Sequence, residues 1–465
     1  MSAQGRGFTY PRRAMETPMR QLGRPVVVAW VVIFAIALVL RCGASIYWQN
    51  RQADQNAFVF GDSFSYWVLG HQIYEGNEYK FGGDNARVAR APGFPILIAG
   101  WHWLFNGKPS VVSVRFMNSV IGAFTVLAVG WLATLLFDAG TGIYAGVLAT
   151  IYPGAIAMSI LVLSEGPFCL LMTLELVAIY YCFNRENASL SSRRWAAVFV
   201  GITAALAVLI RPSWLVYTPA LWGILCLFRK NRFLKMKLGV IGAVAFMVVM
   251  MPWWVRNYQV TGRFVPTTLQ VGASLYDGWR PDADGASDMS FMADFYRQQT
   301  QEDLLATSVP VDTYEYRLNA RLRDASLLWA RENMSDVFRL AGIKFVRMWN
   351  FFPNSEVVGT GTSRLVISLG YLGILSLALL AVVSMIRKES QSTEGTKQAS
   401  WCTVALCSSP AVYFTALHMV FVSSIRYRQP AVLIFSVLAG AGVALFVSRI
   451  KSGRNVGLSE GEVYG

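Results

Sequence analysis

Apolar residues along the chain form long runs that alternate with short polar segments. Ten runs contain 16 to 24 residues each, and a helix of roughly 20 apolar residues crosses a hydrocarbon core of about 30 Å. The pattern therefore predicts an all-α polytopic membrane protein with about ten transmembrane helices. The runs are 25–40, 114–137, 142–163, 167–183, 195–210, 213–228, 238–255, 363–386, 401–422 and 429–447.

Two further apolar stretches, 92–105 and 338–352, are too short to be assigned as membrane spans. Both contain about 14 residues, and Lys344 and Arg347 interrupt the second one. Segments of this length and character are typical of helices that lie along a membrane surface. We expect both to be interfacial helices on the extracytoplasmic side.

Composition and charge support this interpretation. Hydrophobic residues make up 54% of the chain and charged residues only 15%, against about 25% charged in soluble domains, which excludes an ordinary soluble enzyme. In a soluble chain the net charge of +14 would indicate nucleic-acid binding. Here the basic residues lie in clusters between apolar runs, so the excess indicates orientation in the membrane and no nucleic-acid partner is expected.

The positive-inside rule then decides the topology. With both short stretches outside, 19 basic residues fall on the cytoplasmic side, as the rule requires. If 92–105 crossed the membrane, the basic cluster at 229–237 would face outward. We therefore expect a multi-pass protein of the cell membrane with both termini in the cytoplasm.

This topology divides the chain into successive regions. The first run after the basic head resembles a signal peptide, but no A-x-A cleavage pattern follows it, so it is assigned as a membrane anchor. The predicted regions are a cytoplasmic head (1–24), the first transmembrane helix (25–46), an extracytoplasmic loop with interfacial helices (47–112), transmembrane helices two to seven (113–255), an extracytoplasmic cap (256–352), transmembrane helices eight to ten (363–448) and a cytoplasmic tail (449–465).

Metal and redox chemistry have little support in the sequence. The six cysteines lie in or beside apolar runs without a CxxC pair, and the three histidines show no paired spacing. We expect no metal and no cofactor.

Acidic and basic residues recur where the predicted chain turns outward. Arginine binds phosphate with bidentate hydrogen bonds, so such residues at the membrane surface suit an anionic lipid head group. If the lipid is a polyprenyl phosphate that carries a sugar, displacement needs one base and no general acid, because phosphate is already a good leaving group. Glycoside hydrolysis, in contrast, requires two carboxylates. The candidate residues are Asp62, Glu165, Arg87, Arg90, Arg211, Arg256, Arg426 and Arg428.

Each candidate also has a purely structural interpretation. Asp62 in a Gly-Asp-Ser turn is a plausible helix N-cap, and Glu165 at a helix start would favour the helix dipole. Arginines at helix ends often extend to the interface, as Arg211, Arg256 and Arg426 would. The spacing of these residues therefore identifies candidates but does not identify the reaction that they catalyse.

The motifs, taken in order, resemble the polytopic glycosyltransferases of the GT-C fold, in particular bacterial relatives of glycosyltransferase family 39. That group includes the protein O-mannosyltransferases and the lipid A aminoarabinose transferase. The similarity extends from about residue 26 to 448. The matching motifs are GDSFSY at 61–66, RAPGFP at 90–95, LSEGPF at 163–168, PWWVRNY at 252–258, TGRFVP at 261–266 and RYRQP at 426–430.

This resemblance implies an inverting transfer of a sugar from a polyprenyl-phosphate donor to a hydroxyl-bearing acceptor on the extracytoplasmic face. It implies that Asp62 is the catalytic base and that Glu165 binds donor or acceptor nearby, although Glu stands here where many relatives have Asp. It also implies that Arg90, or Arg87, contacts the donor phosphate. The remaining substrate-binding candidates on the same side are Arg211, Arg256, Arg426 and Arg428.

Two other classes of function remain open. A transporter or flippase of lipid-linked substrates would need charged residues within the membrane, and Glu175 is the clear example here. A non-catalytic assembly protein on the same scaffold would have no need of Asp62. The sugar and the acceptor, whether protein, lipid or glycan, are not determined by the sequence.

Overall fold

Helices account for the regular structure of the described residues. The computed structural model describes residues 23–52, 58, 60–82, 86–105, 110–183, 189–227, 231–308, 310–353, 361–389 and 394–461, so most of the predicted cytoplasmic head lies outside them. The helices are α1 (Arg24–Asn50), α2 (Gly61–Glu75), α3 (Gly93–Phe105), α4 (Val111–Leu136), α5 (Ala139–Ile151), α6 (Pro153–Ile160), α7 (Glu165–Phe183), α8 (Leu190–Ile210), α9 (Tyr217–Leu227), α10 (Arg232–Thr261), α11 (Val271–Gly278), α12 (Met292–Leu305), α13 (Tyr314–Glu332), α14 (Met334–Trp349), α15 (Gly361–Glu389), α16 (Glu394–Val420) and α17 (Ile425–Gly461).

Eight of the helices in the described ranges are long and apolar enough to cross a membrane: α1, α4, α7, α8, α10, α15, α16 and α17. The bent pair α5 and α6 raises the number to nine if it forms one span. The expected all-α membrane bundle is thus confirmed. The predicted run 213–228 forms a shorter element, because a 3₁₀ turn at Pro212–Trp214 precedes the 11-residue helix α9.

Pro153 explains the break between α5 and α6. Proline lacks a backbone N–H and its ring clashes with the preceding helical turn, and the two helices meet at 56°. The break leaves carbonyl groups of α5 without helical partners. The buried guanidinium of Arg41 in α1 donates to the carbonyl oxygens of Ala149 (3.1 Å) and Thr150 (3.4 Å). Arg41 of the first span therefore provides hydrogen bonds to carbonyl groups at the break between α5 and α6.

The centre of the bundle is formed by α4, α7 and the first half of α17. In α17 the segment 431–439 is largely buried, and α4, α5, α15 and α16 pack around it. Two small residues permit this approach. A Cβ at Gly440 would lie 2.8 Å from the backbone nitrogen of Ala145, and one at Gly442 would overlap the carbonyl oxygen of Leu377. Small residues at such crossings bring helix backbones into close contact.

Shorter helices cover one end of the bundle. Helices α2 and α3 pack together, and α11 packs on α13 in the 256–352 region. Helix α14 buries Leu340, Lys344 and Met348 at four-residue intervals and exposes Phe338 and Phe345. This amphipathic pattern fits the expected interfacial helix, although its position relative to the membrane remains a prediction.

Candidate active site

Asp62 lies in the first turn of α2, but it is not the N-cap of that helix. The N-cap is Phe60, whose extended backbone precedes Gly61. The Asp62 carboxylate instead accepts hydrogen bonds from two arginines that are distant in sequence. Arg90 Nη2 lies 2.7 Å from Oδ1, and Arg426 Nη2 lies 3.0 Å from Oδ2. The tertiary structure therefore pairs this carboxylate with cations from two other segments.

Glu165 lies beside this cluster at the beginning of α7. Its side chain is only 2% exposed. Its Oε1 atom lies 2.8 Å from Arg426 Nε and 3.1 Å from Arg211 Nη1. Arg426 therefore bridges the two carboxylates, and the helix dipole alone does not account for a buried glutamate with two arginine partners.

Five of the predicted residues thus form one chain of ion pairs, in the order Arg90, Asp62, Arg426, Glu165 and Arg211. Within this network of described residues, three guanidinium groups face two carboxylates. The network carries one excess positive charge, which favours an additional anion.

The electrostatic surroundings keep Asp62 ionised. Burial by itself raises the pKa of the carboxyl group, but the charges and hydrogen bonds of Arg90 and Arg426 outweigh burial and lower the pKa to about 2. A carboxylate with such a low pKa is a poor base while both arginines hold it. Its basicity depends on where those guanidinium groups point.

Aromatic rings lie against two arginines of this network, Arg426 and Arg211. Arg426 lies over the rings of Phe60 (5.2 Å) and Tyr427 (5.0 Å), and Arg211 also lies over Tyr427 (5.3 Å). On Tyr427 the ring of His418 stacks at 4.1 Å. Aromatic faces attract cations without neutralising them, so the rings hold the guanidinium groups in place while the N–H groups at their edges face the carboxylates.

The other three predicted arginines make different contacts. Arg87 pairs at the surface with Glu78, with 2.8 Å between Nε and Oε1. Arg256 donates to the carbonyl oxygen of Tyr79 (3.1 Å). The fully buried Arg428 donates to the carbonyl oxygen of Met348 (3.0 Å), at the end of α14. None of these contacts joins the three arginines to Asp62.

Two supporting residues were missed at the sequence level. Gln270 Oε1 accepts a hydrogen bond from Arg90 Nη1 (3.0 Å), and the Tyr79 hydroxyl donates to the carbonyl oxygens of Arg90 (3.1 Å) and Ala91 (3.2 Å). Glutamine and tyrosine in loops give no sequence signal for such a role. Their importance depends on contacts between segments.

Glu175, the charged residue in the middle of a predicted span, has a structural explanation. Its carboxylate accepts hydrogen bonds from Trp214 Nε1 (2.8 Å) and Thr218 Oγ1 (2.6 Å). It therefore joins α7 to the segment around α9, and its presence needs no translocation pathway. Within the described residues, no group of three or more His, Cys, Asp or Glu side chains is placed to hold a metal ion.

Comparisons with known proteins agree with this description. The family model for dolichyl-phosphate-mannose-protein mannosyltransferase matches residues 89–255, a range that contains Arg90, Glu165 and Arg211. A comparison with curated proteins finds no match.

Among solved structures, the fold is similar to that of the oligosaccharyltransferase AglB from Archaeoglobus fulgidus, in complex with an inhibitory peptide and a dolichol-phosphate. The TM-score is 0.57 at 13% identity, with 94% of this chain and 52% of that chain covered. The apo form of the Archaeoglobus fulgidus oligosaccharyltransferase gives a TM-score of 0.59 at 12% identity, covering 95% of this chain and 52% of that one. This chain therefore spans about half the length of the archaeal protein.

ArnT from Cupriavidus metallidurans in the apo state matches with a TM-score of 0.41 at 13% identity, covering 89% of this chain and 78% of that chain. That score is too low to support a conclusion. The archaeal structures show a shared fold. Together with the family match at 89–255, this fold confirms the expected resemblance to all-α polytopic membrane proteins of the GT-C fold.

Proposed function

We propose that this protein transfers a sugar from a polyprenyl-phosphate donor to a hydroxyl-bearing acceptor at the extracytoplasmic membrane surface, with inversion at the anomeric carbon. The observation that carries this proposal is the ion-pair network in which Arg90 and Arg426 hold Asp62. The family match and the dolichol-phosphate in the archaeal structure of the same fold support a lipid-linked donor.

The charge balance of the network suits such a donor. A sugar attached to a polyprenyl phosphate is a phosphodiester with one negative charge, which matches the single excess positive charge of three arginines against two carboxylates. As the phosphate departs it gains a further negative charge. Preorganised guanidinium groups stabilise charge that develops in a transition state more effectively than water does.

The reaction then needs only one carboxylate. The acceptor hydroxyl oxygen attacks the anomeric carbon while the bond from that carbon to the phosphate oxygen breaks. The electron pair of the broken bond leaves with the polyprenyl phosphate, and Asp62 takes the hydroxyl proton. Glu165 stays paired with Arg211 and Arg426 and fixes their positions beneath the phosphate.

Donor binding also prepares the base. In the free protein Arg90 and Arg426 bind Asp62 and keep its pKa at about 2. A donor phosphate competes for the same guanidinium groups, and each hydrogen bond that turns to phosphate is lost by the carboxylate. Asp62 therefore becomes more basic when the donor is present, which limits proton abstraction to the loaded site.

Asp62→Asn provides the first test. The amide keeps the size of the side chain but cannot take a proton, and general-base catalysis contributes roughly 100- to 10,000-fold. We expect transfer to fall by that order in proteoliposomes supplied with a labelled polyprenyl-phosphate sugar and a membrane fraction as acceptor. Both labelled product and released polyprenyl phosphate are measured.

Asp138→Asn is the matched control, because Asp138 caps α5 through the backbone N–H of Thr141 (2.8 Å) and asparagine caps a helix equally well. It should retain wild-type transfer. Undiminished turnover in Asp62→Asn would refute the role of Asp62. If the wild type releases no polyprenyl phosphate, the enzyme proposal fails in favour of a flippase or an assembly protein.

We assign the choice of acceptor class to the cap at 256–352, which contains α11 to α14 and contacts the segment of Arg90. Protein, lipid and glycan hydroxyl groups all fit the proposed chemistry. Glycolipid and glycoprotein profiles of a deletion strain would distinguish them, because only the class that serves as acceptor should lose its sugar.

A further inference from the structure

The segment that carries Arg90 is held by the cap through its backbone. Val88 is fully buried, and its carbonyl oxygen accepts a hydrogen bond from the backbone N–H of Leu269 (3.0 Å). The next cap residue, Gln270, accepts a hydrogen bond from the Arg90 guanidinium. The cap therefore contacts both the main chain and the side chain of this short segment.

One carboxylate completes the attachment. Glu315, in the first turn of α13, accepts hydrogen bonds from the backbone N–H groups of Arg87 (3.0 Å) and Val88 (3.0 and 3.1 Å). Two adjacent amides directed at one partly buried carboxylate form charge-assisted hydrogen bonds, which are roughly twice as strong as neutral ones. Arg90 follows only two residues later.

The position of this segment determines where the guanidinium of Arg90 can reach. Its Nη2 lies 2.7 Å from Asp62 while its Nη1 is bound to Gln270. A shift of the backbone at 87–88 would disturb both contacts, because Arg90 lies only two residues further along the chain. The Tyr79 hydroxyl binds the carbonyl oxygens of Arg90 and Ala91 in the same segment.

We propose that Glu315 is a positioning residue for Arg90: by binding the backbone of Arg87 and Val88 it sets the affinity of the site for the donor phosphate. This inference rests on the proposed function, because it assigns Arg90 to the donor. It makes the cap a determinant of donor binding, in addition to any contact with the acceptor.

The proposal includes a dependence on pH. Burial raises the pKa of the Glu315 carboxyl to about 7, although the two backbone N–H groups and the nearby Arg256 and Arg87 oppose the rise. Tyr296 of α12 also lies near Glu315. Above pH 7 the carboxylate accepts both N–H groups fully. Below it the protonated carboxyl is a weaker acceptor, so the segment loosens.

The test compares Glu315→Gln with the wild type. Glutamine resembles the protonated carboxyl, so at pH 8 we expect the KM for the donor to rise roughly tenfold with kcat little changed. In the wild type the donor KM should rise as the pH falls below about 7, whereas in Glu315→Gln it should stay nearly constant between pH 6 and 8. Hydrogen exchange at the amides of residues 87 and 88 should be faster in the variant.

Glu302→Gln is the control, because Glu302 pairs with Arg321 within the cap and not with the Arg90 segment. It should keep the wild-type KM and pH profile. A transferring Glu315→Gln protein with unchanged donor KM, or with unchanged exchange at 87 and 88, would overturn this inference alone. Absence of transfer in the wild type would refute the proposed function itself.

Discussion

At the scale of single residues, the motif RYRQP at 426–430 shows how neighbours in sequence acquire unrelated roles. The motif begins α17, and successive helical residues are rotated by about 100°. Arg426 therefore reaches Asp62 and Glu165, whereas Arg428, about 200° further around, reaches the carbonyl oxygen of Met348 and lies over the ring of Tyr371. From the sequence alone, both arginines were equal candidates for binding the substrate.

Substitutions at these two arginines should therefore affect different properties, transfer activity at Arg426 and thermal stability at Arg428. Arg426→Gln removes the cation shared by both carboxylates, so transfer per folded molecule should fall on the order of 100-fold. Arg428→Gln removes a buried cation that binds the end of α14, so thermal stability should fall while transfer per folded molecule is retained. Transfer assays with a thermal unfolding measurement distinguish them. Strong loss of transfer in folded Arg428→Gln would contradict this assignment.

At the scale of helices, the packing of the bundle depends on glycines at two helix crossings. Gly440 and Gly442 allow α17 to approach α5 and α15, and at both positions a Cβ would meet neighbouring backbone atoms. Hydropathy recognises this segment as a span but does not distinguish a glycine at a helix crossing from one that faces lipid. The distinction depends on which helices surround α17.

Gly442→Ala and Gly373→Ala form a matched pair that tests this point. An added methyl group at Gly442 would overlap the carbonyl oxygen of Leu377, while at Gly373 in α15 the space is open. We expect Gly442→Ala to lower the thermal unfolding temperature of the purified protein. Gly373→Ala should leave it unchanged or raise it, since alanine favours a helix by roughly 0.5–1 kcal/mol. Equal effects would show that α15 and α17 are not packed this closely.

At the scale of the whole molecule, the site assembles segments from both ends of the chain. Asp62 and Arg426 are 364 positions apart. The cap supports both arginines at Asp62: Glu315 holds the segment of Arg90, and the buried Lys344 of α14 donates to the carbonyl oxygen of Val420 (2.7 Å), just before the turn that leads to Arg426. The cap and the membrane bundle therefore form one structural unit around the site.

The proposed orientation can be tested with single cysteines in a cysteine-free variant. Ser308 is exposed in the cap and Ser191 is exposed at the beginning of α8, and the positive-inside rule assigns them to opposite sides of the membrane. In sealed right-side-out vesicles, a membrane-impermeant maleimide should label Ser308→Cys. It should label Ser191→Cys only after permeabilisation. The reverse labelling would invert the topology and place the site in the cytoplasm.

The sequence by itself determined the class of fold and the candidate residues. Hydropathy is a local property, and burial of apolar helices in lipid depends on it directly, so an all-α membrane bundle and the short stretch at 92–105, which forms α3, were predictable. The motifs indicated the GT-C resemblance and included Asp62, Glu165 and Arg90.

Only the tertiary structure decided which candidates act together. Ion pairs and hydrogen bonds depend on distances of about 3 Å between segments whose separation in sequence carries no information about contact. The fold brings Arg211 and Arg426 to Glu165 but directs Arg87 and Arg428 elsewhere. It also gives Gln270, Tyr79 and Glu315 supporting contacts that no local pattern indicates, because their partners become neighbours only when the bundle and the cap have packed together.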